Sequence, residues 1–390
     1  MADSLTDAAE LRFVNARVVT SNEVITGGVV VSNGRIRAVD TAPHTTGAVE
    51  DVEGDFLIPG LIDIHTDNLE RHYQPRPGAH WDPLGAALAH DGQMASAGVT
   101  TVFDSLSLHG LKDGLDRSAA LRPMIDGVER AGSEGLLRAQ HFLHLRCEVT
   151  NPHLVTVLNS LIDEPALKLL SVMDHSPGQR QMRHLTPESL RQMLREDGRT
   201  EAEIEEIASS YLGGQVAAMV GSNRKAVIDI AAARNLPLAS HDDESPEHVI
   251  EAAAEGATIS EFPVSVEAAR EARARGLSVF MGAPNLVRGS SHSGNVSARD
   301  IAAAGLLDGL ASDYVPLSML RAAFLLTEAP FNFEMSAAIA TVTLAPAKAV
   351  RLDDRGEIAA GKRADLVRVA RSREGWPIVR GVWREGRRVA

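Results

Sequence analysis

The stretch Pro59-Gly60-Leu61-Ile62-Asp63-Ile64-His65-Thr66-Asp67 is where the chain changes character. A Pro-Gly break is followed by a short apolar run, which ends on an imidazole and a carboxylate two residues apart. In an extended chain that spacing puts His65 and Asp67 on one face, where they can share a cation. The design then recurs. Apolar runs at 61–64, 99–104, 142–149, 167–173, 236–240, 258–262, 277–281 and 307–312 alternate with Ala-rich helical segments up to about residue 344. This alternation predicts βα units and a parallel sheet. Eight strands in a chain of 390 residues favour closure into a (β/α)8 TIM-type barrel over an open sheet.

Outward from the barrel, both chain ends read differently. Residues 11–57 hold β-prone pieces separated by turns such as Ser32-Asn33-Gly34, and 364–369 and 377–382 have the same character. The two ends are expected to pair into a small β-sandwich domain. The division is 1–57 and 345–390 for the β domain, and 58–344 for the barrel. One connection, 176–213, is too long for a simple crossover and holds two extra helical segments, a lid or an oligomer contact after the fourth strand.

Composition narrows the function. The net charge of −13 disfavours a nucleic-acid binder, which needs clustered Lys and Arg. No run approaches the roughly 20 apolar residues that span a bilayer, and the N-terminus has no basic-then-apolar leader, so a cytoplasmic protein without a membrane partner is expected. The single cysteine, Cys147, excludes a Cys-rich zinc site. Any metal must be held by His, Asp and Glu.

In a parallel barrel the chemistry sits where strands end, because the βα loops there form one open face. The first strand ends in His65 and Asp67, the third in Glu148, the fourth in Asp174-His175, the fifth in His241 followed by Asp242, and the eighth in Ser312-Asp313. Any one of these taken alone is more often structural: a strand-end histidine is usually hydrogen-bonded, and a carboxylate often caps a helix. Five strands delivering such residues to one rim point to a catalytic metal site with His65, Asp67, Glu148, His175 (or Asp174), His241 and Asp313 as ligands. One or two divalent ions are expected: zinc, with manganese, iron or nickel as alternatives. Asp313 is also the candidate catalytic base, taking the proton of the attacking water.

Two loops overhang this rim. Arg71, His72 and Arg76 follow the first strand, where substrate contact and loop rigidity are both open readings. The Gly- and Ser-rich stretch 282–295 carries Asn285, Arg288 and His292 and suits an anion wrapped by backbone N–H groups, with Arg288 supplying charge. A small phosphorylated substrate fits these cations.

Leu57-Ile58-Pro59-Gly60-Leu61-Ile62-Asp63-Ile64-His65, Gly98-Val99-Thr100-Thr101 and Gly361-Lys362-Arg363-Ala364-Asp365-Leu366-Val367 resemble the amidohydrolase superfamily at its first strand, second strand and return to the β domain. Most members carry His-x-His after the first strand; Asp67 takes the second place here. More narrowly, 65–77, 284–298 and 311–316 resemble its phosphonate-metabolism branch. That resemblance implies a metal-dependent hydrolase releasing diphosphate from a ribosyl 5-triphosphate that carries a phosphonate, with His65, Glu148, His175, His241 and Asp313 at the metal. The alternative is hydrolysis of a C–N bond in a cyclic amide, N-acyl compound or amino-purine. A homo-oligomer is expected.

Overall fold

The computed structural model describes residues 10–40, 48–109, 111–112, 115–176, 180, 186–196, 198–212, 215–291 and 294–390. Each of the eight expected barrel strands forms: Leu61–Thr66, Val99–Ser107, Gln140–Glu148, Leu167–Met173, Leu238–His241, Ile259–Glu261, Ser278–Gly282 and Gly309–Ala311. They pair in that order and all in parallel. A parallel bridge between Thr66 and Asp313 joins the last strand to the first. The backbone of Asp313 does this by donating to the His65 carbonyl and accepting from the Asp67 N–H, at 3.0 and 2.8 Å. Closure of the barrel and placement of three candidate site residues are therefore one event.

The floor of the barrel is apolar. Ile62, Ile64, Phe103, Phe142, Leu169, Ala239, Ile259 and Phe280 interdigitate there, with Ala347 and Val350 packed on the same cluster. Gly309 is required by this packing, since a Cβ at that position would stand 2.2 Å from the Phe280 ring. The outer faces of the strands pack against the helices in a second and larger core. Helix Pro83–Ser96 starts where its sequence says it should, with proline in the first turn and Asp82 accepting from the Gly85 N–H at 2.7 Å.

The β domain is one eight-stranded sheet built from both chain ends. Leu366–Arg371 lies antiparallel to Phe56–Pro59, which runs parallel to Leu11–Val19. Phe13, Leu57, Leu366 and Trp383 share its core, and the Phe13 and Trp383 rings meet edge to face at 4.9 Å. In the long connection the two extra helices form as Pro187–Glu196 and Glu201–Leu212, and Leu190, Leu194 and Ile204 give them a small core of their own. No helix among the described residues is long and apolar enough to cross a membrane.

Candidate metal centre

The third strand shows how the site is layered. Its alternate residues Phe142, His144, Arg146 and Glu148 share the inward face. Phe142 belongs to the apolar floor. One step higher, His144 is hydrogen-bonded to Ser105 and Ser171 of the flanking strands and to the Ile64 carbonyl, at 3.1, 2.9 and 3.0 Å. Burial holds His144 down to about 3, so it is a neutral ring with both nitrogens engaged. At the mouth, Arg146 reaches Asp67 at 2.5 Å and Glu148 reaches His175 Nδ1 at 2.6 Å.

Glu261, the last residue of the sixth strand, organises the centre of this mouth. It is fully buried, 2.9 Å from His65 Nδ1 and 3.3 Å from His241 Nδ1. Burial alone would raise this carboxyl, but the His65 ring beside it, with hydrogen bonds from His241 and His65, holds it well below the ordinary range. An ionised carboxylate only accepts, so both Nδ1 atoms carry hydrogen and each Nε2 is the atom left for a cation. His175 is set in the same way by Glu148, whose other oxygen accepts from the Thr150 hydroxyl at 2.6 Å. Three imidazoles are thus oriented from behind by two carboxylates.

In front of them stand three more carboxylates. Asp67, Asp313 and His65 bring ligand atoms within 4.8 Å of one another, and so do His175, His241 and Asp242. Asp242 and Asp313 hold left-handed backbone at φ 55° and 56°, as does Phe262 at 55°. Such conformations cost roughly 1–3 kcal/mol for a non-glycine residue and cluster where function demands them. Phe262 sets its ring edge against both His65 and His241, at 4.8 and 5.5 Å, and fills the space between the imidazoles.

Charge at the mouth is tightly balanced. Burial pulls His175 down, but Glu148 and Asp242 override it and hold the ring up at about 9. Burial likewise lowers His65, and the Glu261 carboxylate reverses the sign. Asp67 is held down at about 2, because the Arg146 guanidinium outweighs its desolvation. Glu148 is also near 2, held against burial mainly by His175. These donors fit a divalent cation: imidazole and carboxylate without thiolate, each His Nδ1 pinned, each Nε2 facing a front carboxylate.

Of the sequence candidates, His65, Asp67, His175, His241 and Asp313 come together. Asp174 does not; its carboxylate accepts from the Ser176 N–H at 3.0 Å and closes a local turn. Glu148 stands behind His175 rather than in either donor group. Asn285 and Arg288 line the cavity with His65, Asp67, His241 and Asp313. The stretch 282–295 opens as a short helix, Ala283–Arg288, and only then turns into the Ser-rich loop, because Gly289 takes φ 86° and ends it. Arg71 lies at the rim, donating to the Tyr314 carbonyl at 3.1 Å. His72 instead turns to Gln93 at 2.9 Å, and Arg76 is exposed and absent from the cavity lining. His292 lies outside the described residues.

Sequence reasoning missed Glu261 and Arg146, and it passed over Asp242 although it sits beside His241. A polar residue ending the apolar run 258–262 was the available signal for Glu261. The period of two through His144, Arg146 and Glu148 was the signal for Arg146.

The whole barrel and part of the β domain, residues 56–389, match the amidohydrolase family. The chain belongs to that family. It is a hydrolytic enzyme of an amidohydrolase superfamily that generally works with divalent metals. Over 381 residues it is 41% identical to α-D-ribose 1-methylphosphonate 5-triphosphate diphosphatase of Escherichia coli, covering 96% of this chain and 99% of the relative. Among solved amidohydrolase-type structures it superposes on 5-methylcytosine deaminase from Klebsiella pneumoniae with a TM-score of 0.65, at 14% identity over 97% of this chain and 98% of the other. N-isopropylammelide isopropylaminohydrolase from Burkholderia multivorans gives 0.64, at 16% identity over 97% and 98%. At such identities these two report the shared fold alone.

Proposed function

We propose that this enzyme hydrolyses α-D-ribose 1-methylphosphonate 5-triphosphate to release diphosphate, using divalent metal, zinc first, at the mouth of the barrel. The observation that carries the reading is the 41% identity, sustained over nearly the full length of both chains, to a diphosphatase of that name. Cations around a carboxylate-rich mouth support it, since Arg288 and Arg146 line the cavity and Arg71 stands at its rim. A cytoplasmic homo-oligomer belongs to the same reading.

In this assignment His65, Asp67 and Asp313 form one ligand group, and His175, His241 and Asp242 the other; Glu148 and Glu261 fix the rings. A divalent cation bound there supplies Lewis acidity and acidifies water. Asp313, at the end of the eighth strand, takes the proton of the attacking water. Water oxygen joins the α-phosphorus, the bond from that phosphorus to the α–β bridging oxygen breaks, and diphosphate leaves a 5-monophosphate. Arg288 and Arg71 hold the departing charge, with Asn285 on the same wall.

The test is a product assay on metal-loaded protein with the ribosyl 5-triphosphate. One diphosphate per substrate consumed is expected. Ammonia or carboxylate from an amide and amino-purine panel, with no diphosphate from the triphosphate, would replace the proposal with C–N bond hydrolysis.

A further inference from the structure

Arg146 is out of keeping with a site that only gathers ligands for a cation. It sits on the inward face of the third strand, in the cavity wall, with 12% of its side chain exposed. One terminal nitrogen is held by Asp67 at 2.5 Å. Its Nε is buried and meets no hydrogen-bond partner among the described residues. Asp67, Glu261 and Glu70 all stabilise its charge, which stays fixed at any working pH.

A permanent buried cation is costly, and a guanidinium among imidazoles and carboxylates weakens their hold on a metal. Its presence is accounted for when the cavity also receives an anion. A guanidinium anchored through one terminal nitrogen, with its Nε buried, keeps the other terminal nitrogen for a second, charge-assisted partner, and a phosphoryl oxygen is a fitting acceptor. Arg288 differs, being exposed and 3.3 Å from the Tyr314 hydroxyl at the outer wall.

We propose that Arg146 is a substrate-binding residue, contacting a non-bridging oxygen of the phosphoryl group that lies deepest in the cavity, with Asp67 as its anchor. This deepens the diphosphatase reading and rests on it for the identity of the substrate. The class of ligand, a phosphoryl anion, rests on the geometry of Arg146.

The probe is inorganic phosphate, titrated by calorimetry into the full-length, metal-loaded protein, with metal content measured before and after. For Arg146→Gln the expected result is unchanged metal content and at least a tenfold loss of phosphate affinity. Arg146→Lys keeps charge without the fork and should lose severalfold; if Arg146→Gln does not fold, this variant decides alone. Phosphate affinity within twofold of wild type in the folded variants overturns the proposal. So does loss of metal from Arg146→Gln with undiminished phosphate affinity in Arg146→Lys, which would make Arg146 a positioning residue for Asp67. The two readings separate cleanly. Wild-type protein that releases no diphosphate from the triphosphate, yet loses phosphate affinity on Arg146→Gln, keeps this inference and removes the substrate.

Discussion

Two buried groups of histidine and carboxylate lie on opposite sides of the barrel wall, and one of them lines the cavity at the barrel mouth. Behind the second and third strands, His90 Nε2 donates to Asp104 at 2.7 Å, His141 Nδ1 lies 2.8 Å from the other Asp104 oxygen, and His141 Nε2 is 3.4 Å from Asp91. Asn68 donates to His90 Nδ1 at 3.0 Å, and Asp91 accepts from the backbone of Arg138 and Ala139. Every ring nitrogen there has a partner at hydrogen-bonding distance. At the mouth, the Nε2 atoms of His65, His175 and His241 stand 3.9, 3.8 and 3.5 Å from the nearest front carboxylates. The group behind the wall brings three donors within 4.8 Å of one another, as do the trios His65, Asp67, Asp313 and His175, His241, Asp242 at the mouth. Donor proximity alone therefore does not single out a candidate metal centre; the mouth differs in that its Nε2 atoms stand farther from their carboxylates and that His65 and His241 line the cavity.

The largest effect is expected at Asp313. Asp313→Asn should lower kcat by about a thousandfold, in keeping with loss of a general base, while elemental analysis finds the metal retained. Near-normal turnover would take the base assignment away from Asp313. Next comes Asp104→Asn behind the wall. Removing one partner of a buried charged pair should destabilise the fold by about 3–5 kcal/mol in denaturant titration, with metal content unchanged in the folded fraction. A loss of metal there would erase the distinction between the two groups.

Glu261→Gln should act the other way. The fold is retained while metal affinity falls roughly 10–100-fold, since two imidazoles lose their orienting carboxylate. A competition titration against a chelator measures this. The smallest effect is a pH dependence. His141 is held up at about 9: burial opposes its charge, but Asp104 and Asp91 prevail. A folded pKa above the unfolded value means that its stabilisation is complete below about 6.5 and is lost as pH rises through 9, by no more than about 3 kcal/mol. Unfolding free energies at pH 7 and pH 10 should show this drop in wild type and not in His141→Gln. The same drop in both proteins would mean that another group sets the alkaline limit.

The barrel was legible in the sequence because its strands, buried on both faces, read as apolar runs separated by helices. The candidate ligands at strand ends were legible for a related reason, since the βα loops of a parallel barrel all open at one end. His65, Asp67, His241 and Asp313 could be named from that rule. The rule says where a side chain stands and nothing about what occupies its other side. Glu148 and Asp174 show the limit, for both end apolar strands, yet one orients His175 and the other closes a turn. His90 and His141 stand away from the C-terminal strand ends, and Asn68, Asp104 and Asp91 partner their ring nitrogens.

What the sequence determined by itself was therefore periodic: eight strands, a β domain from both ends, and one rim loaded with His, Asp and Glu. What the tertiary structure decided was pairing across the barrel, where partners are distant in sequence. Glu261 stands 196 residues from His65 and 20 from His241, and Arg146 stands 79 from Asp67. No local pattern encodes such contacts; they exist because closure of the sheet brings the ends of its strands within hydrogen-bonding reach.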